Sequence, residues 1–272
     1  MSVKKEPSGR RSIQVEVEVP GTPEEVWRAI ATGPGISAWF VPTRSEERQG
    51  GQLVSNFGPG MDCPATITKW QPPKCFVAES EMGPPGSPKM ATEWTVEARA
   101  GRKCVVRVVH SLFASTDDWD NQLDGLEQGW PTYFRILRRY LADFKGMPCS
   151  AMQFVSFSSG PESKTWEKLG GSLGLLKVAE GQKWSAPDGF PRMTGVSLGH
   201  GMHSSTVLLR LDTPVPGTAY IGAFPFSGMV QAYMAIYLYG ANAKAAALRD
   251  EPIWQKWMDE RFPMPSEPSK SE

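Results

Sequence analysis

Apolar and polar side chains alternate strictly from Ile13 to Val19, the period of a strand with one buried face. Pro20 and Gly21 end the run. Thr22, Pro23 and Glu25 then open a helix: a hydroxyl cap, a proline at the first helical position, and a glutamate that can reach back to the cap. Val26, Trp27 and Ile30 give this helix an apolar stripe. Gly33, Pro34 and Gly35 predict its stop, and residues 36–40 a second, very short helix. Strands are predicted over 42–48, 52–57, 63–71, 74–81, 90–99 and 103–113, with turns at Gly50-Gly51, Pro72-Pro73 and Gly101-Arg102. Longer Gly/Pro loops fall at 58–64 and 82–89 and read either as an entrance rim or as plain turns. Spacing this close favours an antiparallel meander over a parallel sheet. Ser115 to Asp118 predicts the cap of a long helix whose apolar positions, Leu123, Leu126, Trp130, Phe134, Leu137 and Leu141, recur at three and four; Pro131 is expected to kink it.

After Gly146-Met147-Pro148 the pattern restarts. A strand is predicted over 151–157, a helix from Glu162 through Leu169, and a second short helix near Ser172–Leu176. Strands follow near 194–199, 205–212, 217–224 and 228–239, then a helical stretch over 241–262 interrupted by Pro252. The order strand, helix elbow, strands, terminal helix thus occurs twice, the second time with fewer strands. An internal duplication with a boundary near 145–150 is the economical reading. The expected organisation is a flexible tail over 1–11, an α+β domain over 12–146, a shortened α+β domain over 150–262, and a second tail over 263–272.

Composition narrows the function classes. The 29 basic and 29 acidic side chains cancel, which argues against a polybasic nucleic-acid or membrane binder. No run of apolar residues is long enough for a membrane span, and the N-terminus lacks an apolar signal-peptide core, so a cytoplasmic location is expected. Cys63, Cys75, Cys104 and Cys149 show no CxxC pair and read as reduced thiols. Ten tryptophans are many for 272 residues and need either walls to pack against or a cavity to line.

Val17-Glu-Val-Pro20, Thr22-Pro-Glu-Glu-Val-Trp27-Arg-Ala-Ile30, Ala38-Trp39-Phe40, Val109-His110-Ser111 and Gly129-Trp130 occur in one order over residues 12–146. In this, the first half resembles the SRPBCC, or START-like, superfamily, and within it the family of heat-shock-protein ATPase activator homologues. The resemblance implies a helix-grip fold, a curved antiparallel sheet around a long C-terminal helix with an apolar cavity between them. The second half resembles that fold by element order alone.

Along 104–112, Cys104, Val106, Val108, His110 and Leu112 share one face, and Arg107 lies on the other. Only the first face suits an apolar helix, which places His110 indoors. There it either contacts a ligand, acts as a general acid or base, or is a core histidine satisfied by its neighbours. The resemblance puts Trp39, Phe40, Trp94, Trp130, Tyr133 and Phe134 around the same cavity, where they either line a site for a flat hydrophobic ligand or simply fill space. No nucleophile triad emerges. His200 and His203 lack further ligands for a metal, and no phosphate loop is present, so neither metal nor cofactor is expected. On the strand over 228–239, Tyr233, Tyr237 and Tyr239 oppose an apolar face of Val230, Ala232, Met234, Ile236 and Leu238. Both faces read as covered, which predicts a homodimer or interdomain contact through the tyrosines. The leading expectation is binding of a small hydrophobic or aromatic molecule. A polyketide cyclase/aromatase-type enzyme using His110, and a co-chaperone-like interaction module, are the alternatives.

Overall fold

A computed structural model describes residues 3–81, 87–113, 119–201, 203–226 and 228–263. The chain divides into two units, Met1–Gly146 and Met147–Glu272.

In the first unit the alternating stretch lies within strand β2 (Arg10–Pro20), whose Ile13 and Val19 are buried while Gln14, Glu16 and Glu18 are exposed. A two-residue strand, β1 (Lys4–Lys5), pairs with Ser12 and Arg11 of β2. The expected tail over 1–11 is therefore corrected for residues 4–11. Arg11 is buried, and its Nη1 donates to Asp120 Oδ1 at 2.7 Å, while Lys5 Nζ meets Oδ2 of the same carboxylate at 2.7 Å. Local sequence shows only a basic cluster there; its partner lies far along the chain.

Helices α1 (Pro23–Ala31) and α2 (Gly33–Ser37) form the elbow. The capping box is complete: Glu25 N donates to Thr22 Oγ1 at 3.3 Å and Thr22 N to Glu25 Oε2 at 2.9 Å. Gly33-Pro34-Gly35 does not end a helix so much as begin one, because Thr32 closes α1 and caps α2, accepting from Gly35 N at 3.0 Å. A Cβ on Gly35 would lie 1.9 Å from the Arg28 carbonyl oxygen, so only glycine permits this close approach.

The remaining strands are β3 (Thr43–Ser45), β4 (Gln52–Asn56), β5 (Asp62–Gln71), β6 (Cys75–Glu81), β7 (Lys89–Arg99) and β8 (Lys103–Phe113). They form one eight-stranded sheet in the order β1-β2-β8-β7-β6-β5-β4-β3, with the pairs β1–β2, β2–β8 and β7–β8 and the rest all antiparallel. The meander thus folds back so that its last strand lies beside the first long one. Helix α3 (Asp120–Arg139) packs on β2 and continues into a π-helical turn, Tyr140–Phe144. Its predicted stripe is the inward face: Leu123, Trp130, Phe134, Leu137 and Leu141 are all buried, and Leu126 is half-buried. Pro131 lies inside α3 without breaking it, and the departure from α geometry comes a turn or more later. The cap expected at Ser115–Asp118 and most of the loop at 82–89 lie outside the described residues.

The second unit repeats the plan with fewer strands: β9 (Cys149–Ser158), α4 (Glu162–Ser172), β10 (Lys183–Ser185), β11 (Thr194–Ser197), β12 (Thr206–Thr213), β13 (Gly217–Phe226), β14 (Met229–Tyr239) and α5 (Ala243–Arg261). The sheet order is β10-β11-β12-β13-β14-β9, so again the last strand closes on the first. Both units are thus α+β, each an antiparallel sheet with a long C-terminal helix; the first has the arrangement of the helix-grip fold, and the second has fewer strands and one helix in place of the elbow. The short helix expected over 172–176 is absent; α4 ends instead in a Schellman turn. Gly174, at φ +67°, sits at the left-handed position, Leu175 N donates to Gly170 O at 2.7 Å and Gly174 N to Gly171 O at 3.2 Å. Pro252 lies within α5 rather than interrupting it. Val230, Ala232, Met234, Ile236 and Leu238 belong to the unit's core with Trp166, Leu169, Trp254 and Met258. Tyr233, Tyr237 and Tyr239, on the other face, are also buried. The tail over 263–272 lies outside the described residues beyond Pro263.

Candidate functional site: an aromatic array over a buried histidine

Strand β8 alternates as its sequence requires: Cys104, Val106, Val108, His110 and Leu112 are buried and the intervening residues are partly exposed. His110 pairs across the sheet with Thr92 of β7 on one side and Ile13 of β2 on the other. Its imidazole is 3% exposed, and burial alone pushes its pKa down to about 4. The ring is therefore neutral near pH 7.

The hydrogen bonds fix its tautomer. Trp130 Nε1 of α3 donates to His110 Nε2 at 2.8 Å, and an indole nitrogen can only donate, so Nε2 carries the lone pair. The proton then sits on Nδ1 and is donated to Thr92 Oγ1 at 3.0 Å. Trp130, His110 and Thr92 thus form one directional chain from helix to sheet. Both imidazole nitrogens are used, which is the arrangement of a satisfied buried histidine.

The elbow supplies the next layer. Trp39 follows α2, is 1% exposed, and is anchored by Nε1 donating to the Ala29 carbonyl at 2.9 Å. Phe40 beside it is half-buried. Trp130 is the hub: its ring lies 5.1 Å from Phe40, 5.1 Å from Trp94, 5.4 Å from Phe134 and 6.5 Å from both Trp39 and Tyr133. The Trp94 contact is edge-on at 89°, as is that between Phe40 and Tyr133, centroids 4.6 Å apart. These spacings are those of rings in direct contact. All seven residues singled out from the sequence, Trp39, Phe40, Trp94, His110, Trp130, Tyr133 and Phe134, are brought together.

Four members escaped the sequence reading. Phe57 lies 5.9 Å from Phe40, at the end of β4 beside Gly58. Phe76 stacks at 13° and 6.3 Å on Trp94, and extends the array to Trp70 and Trp27. Thr92 was also missed as a hydrogen-bond partner, although its spacing of two from Trp94 puts it on the same face. The array grades from Trp39, Trp94, Trp130 and Phe134, which are buried, to Phe40, Phe57 and Tyr133, which are half-exposed. Its rim holds the turn after β4, where Met61 N donates to the Gly58 carbonyl at 3.0 Å and Asn56 Nδ2 to Asp62 Oδ1 at 2.7 Å.

The other two histidines lie in the second unit. His200 Nδ1 donates to the Thr206 carbonyl at 2.9 Å, and His203 stacks on Phe224 at 6.3 Å. Among the described residues no three His, Cys, Asp or Glu side chains gather as a metal site, and no helix is long and apolar enough to cross a membrane. All four cysteines are free, and burial pushes the Cys149 thiol up to about 12.

A sheet closed on its first strand, gripping a long helix over an aromatic interior, defines the helix-grip class. Residues 20–142 match the family described as Activator of Hsp90 ATPase homolog 1-like protein. The match lies wholly within the N-terminal unit, which is therefore similar to that family over most of its length. The matched region ends before the second unit. No curated protein matches the chain. Among solved structures, the chain is similar to the di-domain ARO/CYC BexL from the BE-7585A biosynthetic pathway, at 10% identity and TM-score 0.45 over 94% of this chain and 100% of that one. It is similar to DynU16, from the dynemicin biosynthetic locus, at 15% identity and TM-score 0.43 over 90% and 94% of the two chains. It is also similar to CalU16 from Micromonospora echinospora, at 19% identity and TM-score 0.41 over 52% and 83%.

Proposed function

We propose that the N-terminal unit binds a small hydrophobic or aromatic molecule, as a carrier, sensor or sequestering protein. One observation carries this reading: a continuous array of rings that is buried at Trp39, Trp94 and Trp130 and reaches solvent at Phe40, Phe57 and Tyr133. A flat apolar ligand gains most where half-exposed rings border a fixed aromatic wall. The wall is fixed because Trp39 and Trp130 each spend their only donor on the protein.

His110 serves this reading as a positioning residue. It holds Trp130 by accepting its N–H, so acid–base work on a substrate would require that bond to break. A neutral imidazole of low pKa is also a weak base near pH 7. Four free thiols, two of them buried, suit a reducing compartment, and we place the protein in the cytoplasm on that ground.

Native mass spectrometry of the protein from its own source, followed by denaturing extraction, tests the proposal. A near-stoichiometric aromatic or lipid-like molecule supports it. Phe40→Ala is expected to weaken binding of that molecule about tenfold or more, since roughly 1.5–3 kcal/mol attends burial of such a ring. Binding unchanged in Phe40→Ala and Tyr133→Ala would overturn the assignment of the array. Turnover lost in His110→Ala with binding intact would favour an enzyme instead, and stimulation of a purified heat-shock ATPase would favour the co-chaperone reading.

A further inference from the structure

A second site lies in the C-terminal unit, where the end of β9 meets the start of α4 and the last turn of α5. A cavity of about 370 Å³ opens there, and its lining holds three cations, Lys164, Lys168 and Arg261, and no carboxylate. Phe157 and Phe262 supply apolar walls, and Ser158 and Ser159 supply hydroxyls.

The cavity's frame is built by bonds that satisfy the end of α5. Lys168 Nζ donates to the Arg261 carbonyl and lies 4.9 Å from the Phe262 ring centroid; Ser156 Oγ donates to the Phe262 carbonyl. Lys168 is thus committed to holding α5 against α4, with its charge beside the negative end of that helix. The other two cations are less engaged. Lys164 pairs with Glu167 at 2.8 Å with both side chains largely exposed, a pair of small net value that an incoming anion can displace. The Arg261 guanidinium makes no ion pair among the described residues. Helix α4 begins after Pro161 without a side-chain cap, and its first-turn acid, Glu162, is not part of the cavity's lining.

We propose that this cavity binds a small amphipathic anion: an anionic head held by Arg261 and Lys164, and an aromatic ring seated against Phe157 and Phe262. A guanidinium and an ammonium flanked by hydroxyls recognise phosphate, sulfonate or carboxylate oxygens, and a purely apolar ligand would make no use of either charge. This site is separate from the aromatic array of the first unit and does not depend on it.

The test is titration of the full chain with phenyl phosphate, followed by amide chemical shifts, with inorganic phosphate and phenol run separately. Phenyl phosphate is expected to saturate shifts at residues 157–165 and 261–262 and to bind more tightly than either fragment. Lys164→Gln combined with Arg261→Gln, both at exposed side chains, is expected to weaken it about tenfold or more, because hydrogen bonds to charged groups contribute roughly 1.5–3 kcal/mol. Raising salt should weaken it too. Shifts confined to the first unit, equal affinity for phenol, or affinity unchanged in the double variant would each overturn the proposal. The melting temperature of the double variant, expected to match the parent protein, separates lost binding from lost folding.

Discussion

His110 shows how a single polar group inside an apolar unit is made tolerable. Each imidazole nitrogen has one partner, and the partners come from different elements, Trp130 from α3 and Thr92 from β7. Removing one of them is therefore expected to cost more than an ordinary hydrogen bond. Trp130→Phe leaves Nε2 buried and unpaired, and should destabilise the N-terminal unit by about 1–3 kcal/mol, read from faster amide exchange along β8. The same residue predicts a pH dependence. The folded pKa, about 4, lies below the unfolded value of 6.5. Between pH 6.5 and about 4 the unfolded chain therefore takes up a proton that the folded one refuses. Stability from this group is complete above 6.5, falls as the pH falls through that window, and changes no further below it. The loss is of order 3 kcal/mol, at about 1.4 kcal/mol per unit. His110→Gln keeps a neutral donor and acceptor but cannot titrate, so denaturation curves at pH 7 and pH 4.5 should lie closer together than in the parent.

At the scale of elements, the elbow of α1 and α2 decides where Trp39 and Phe40 stand. Its hinge is Thr32, whose hydroxyl donates to the Arg28 carbonyl at 2.7 Å and accepts from Gly35 N. Gly35→Ala would drive a methyl into that carbonyl and is expected to cost at least the 1–3 kcal/mol typical of overpacking, with near-ultraviolet circular dichroism reporting the displaced indole. Thr22→Ala removes half of a capping box and should cost about 1 kcal/mol in the same unit, measured by urea denaturation. Glu25, the other half, is held below the usual carboxylate range by the Thr22 amide first and by Lys145 next. These elements were legible because their signals are local: alternation gave β2 and β8, and the cap residues gave α1. What escaped depends on distant partners or on few residues. Residues 1–11 read as a flexible tail, and the Asp120 carboxylate that pairs with Lys5 and Arg11 lies more than a hundred residues away. Strand β10 is three residues long, with Trp184 its one buried side chain, too little to show a period. The site was legible as a set of rings, because large aromatics on known inward faces must meet. Trp130's bond to His110 was not, since register between helix and sheet is absent from any one segment.

For the whole molecule, charge and topology set the expectations. With no net charge at pH 7 and an isoelectric point near 6.8, copies repel one another least around neutrality. Solubility should pass through a minimum near pH 6.8 and rise by about pH 8.5, which turbidity at high concentration checks. The first sheet also manages its margins: it ends in β1 and β3, of two and three residues, and the lysines of β1 discourage further pairing. The return of the last strand to the first has a consequence for the nascent chain. As it leaves the ribosome, β2 has no long partner until residues 103–113 emerge, and β9 has none until residues 229–239 do. The two waiting periods do not overlap. By the time Cys149 is synthesised, β8 is already available to β2, so the two strands that seek the same kind of neighbour are never unpaired together. Synthesis in this order keeps a tandem of like units from trading strands.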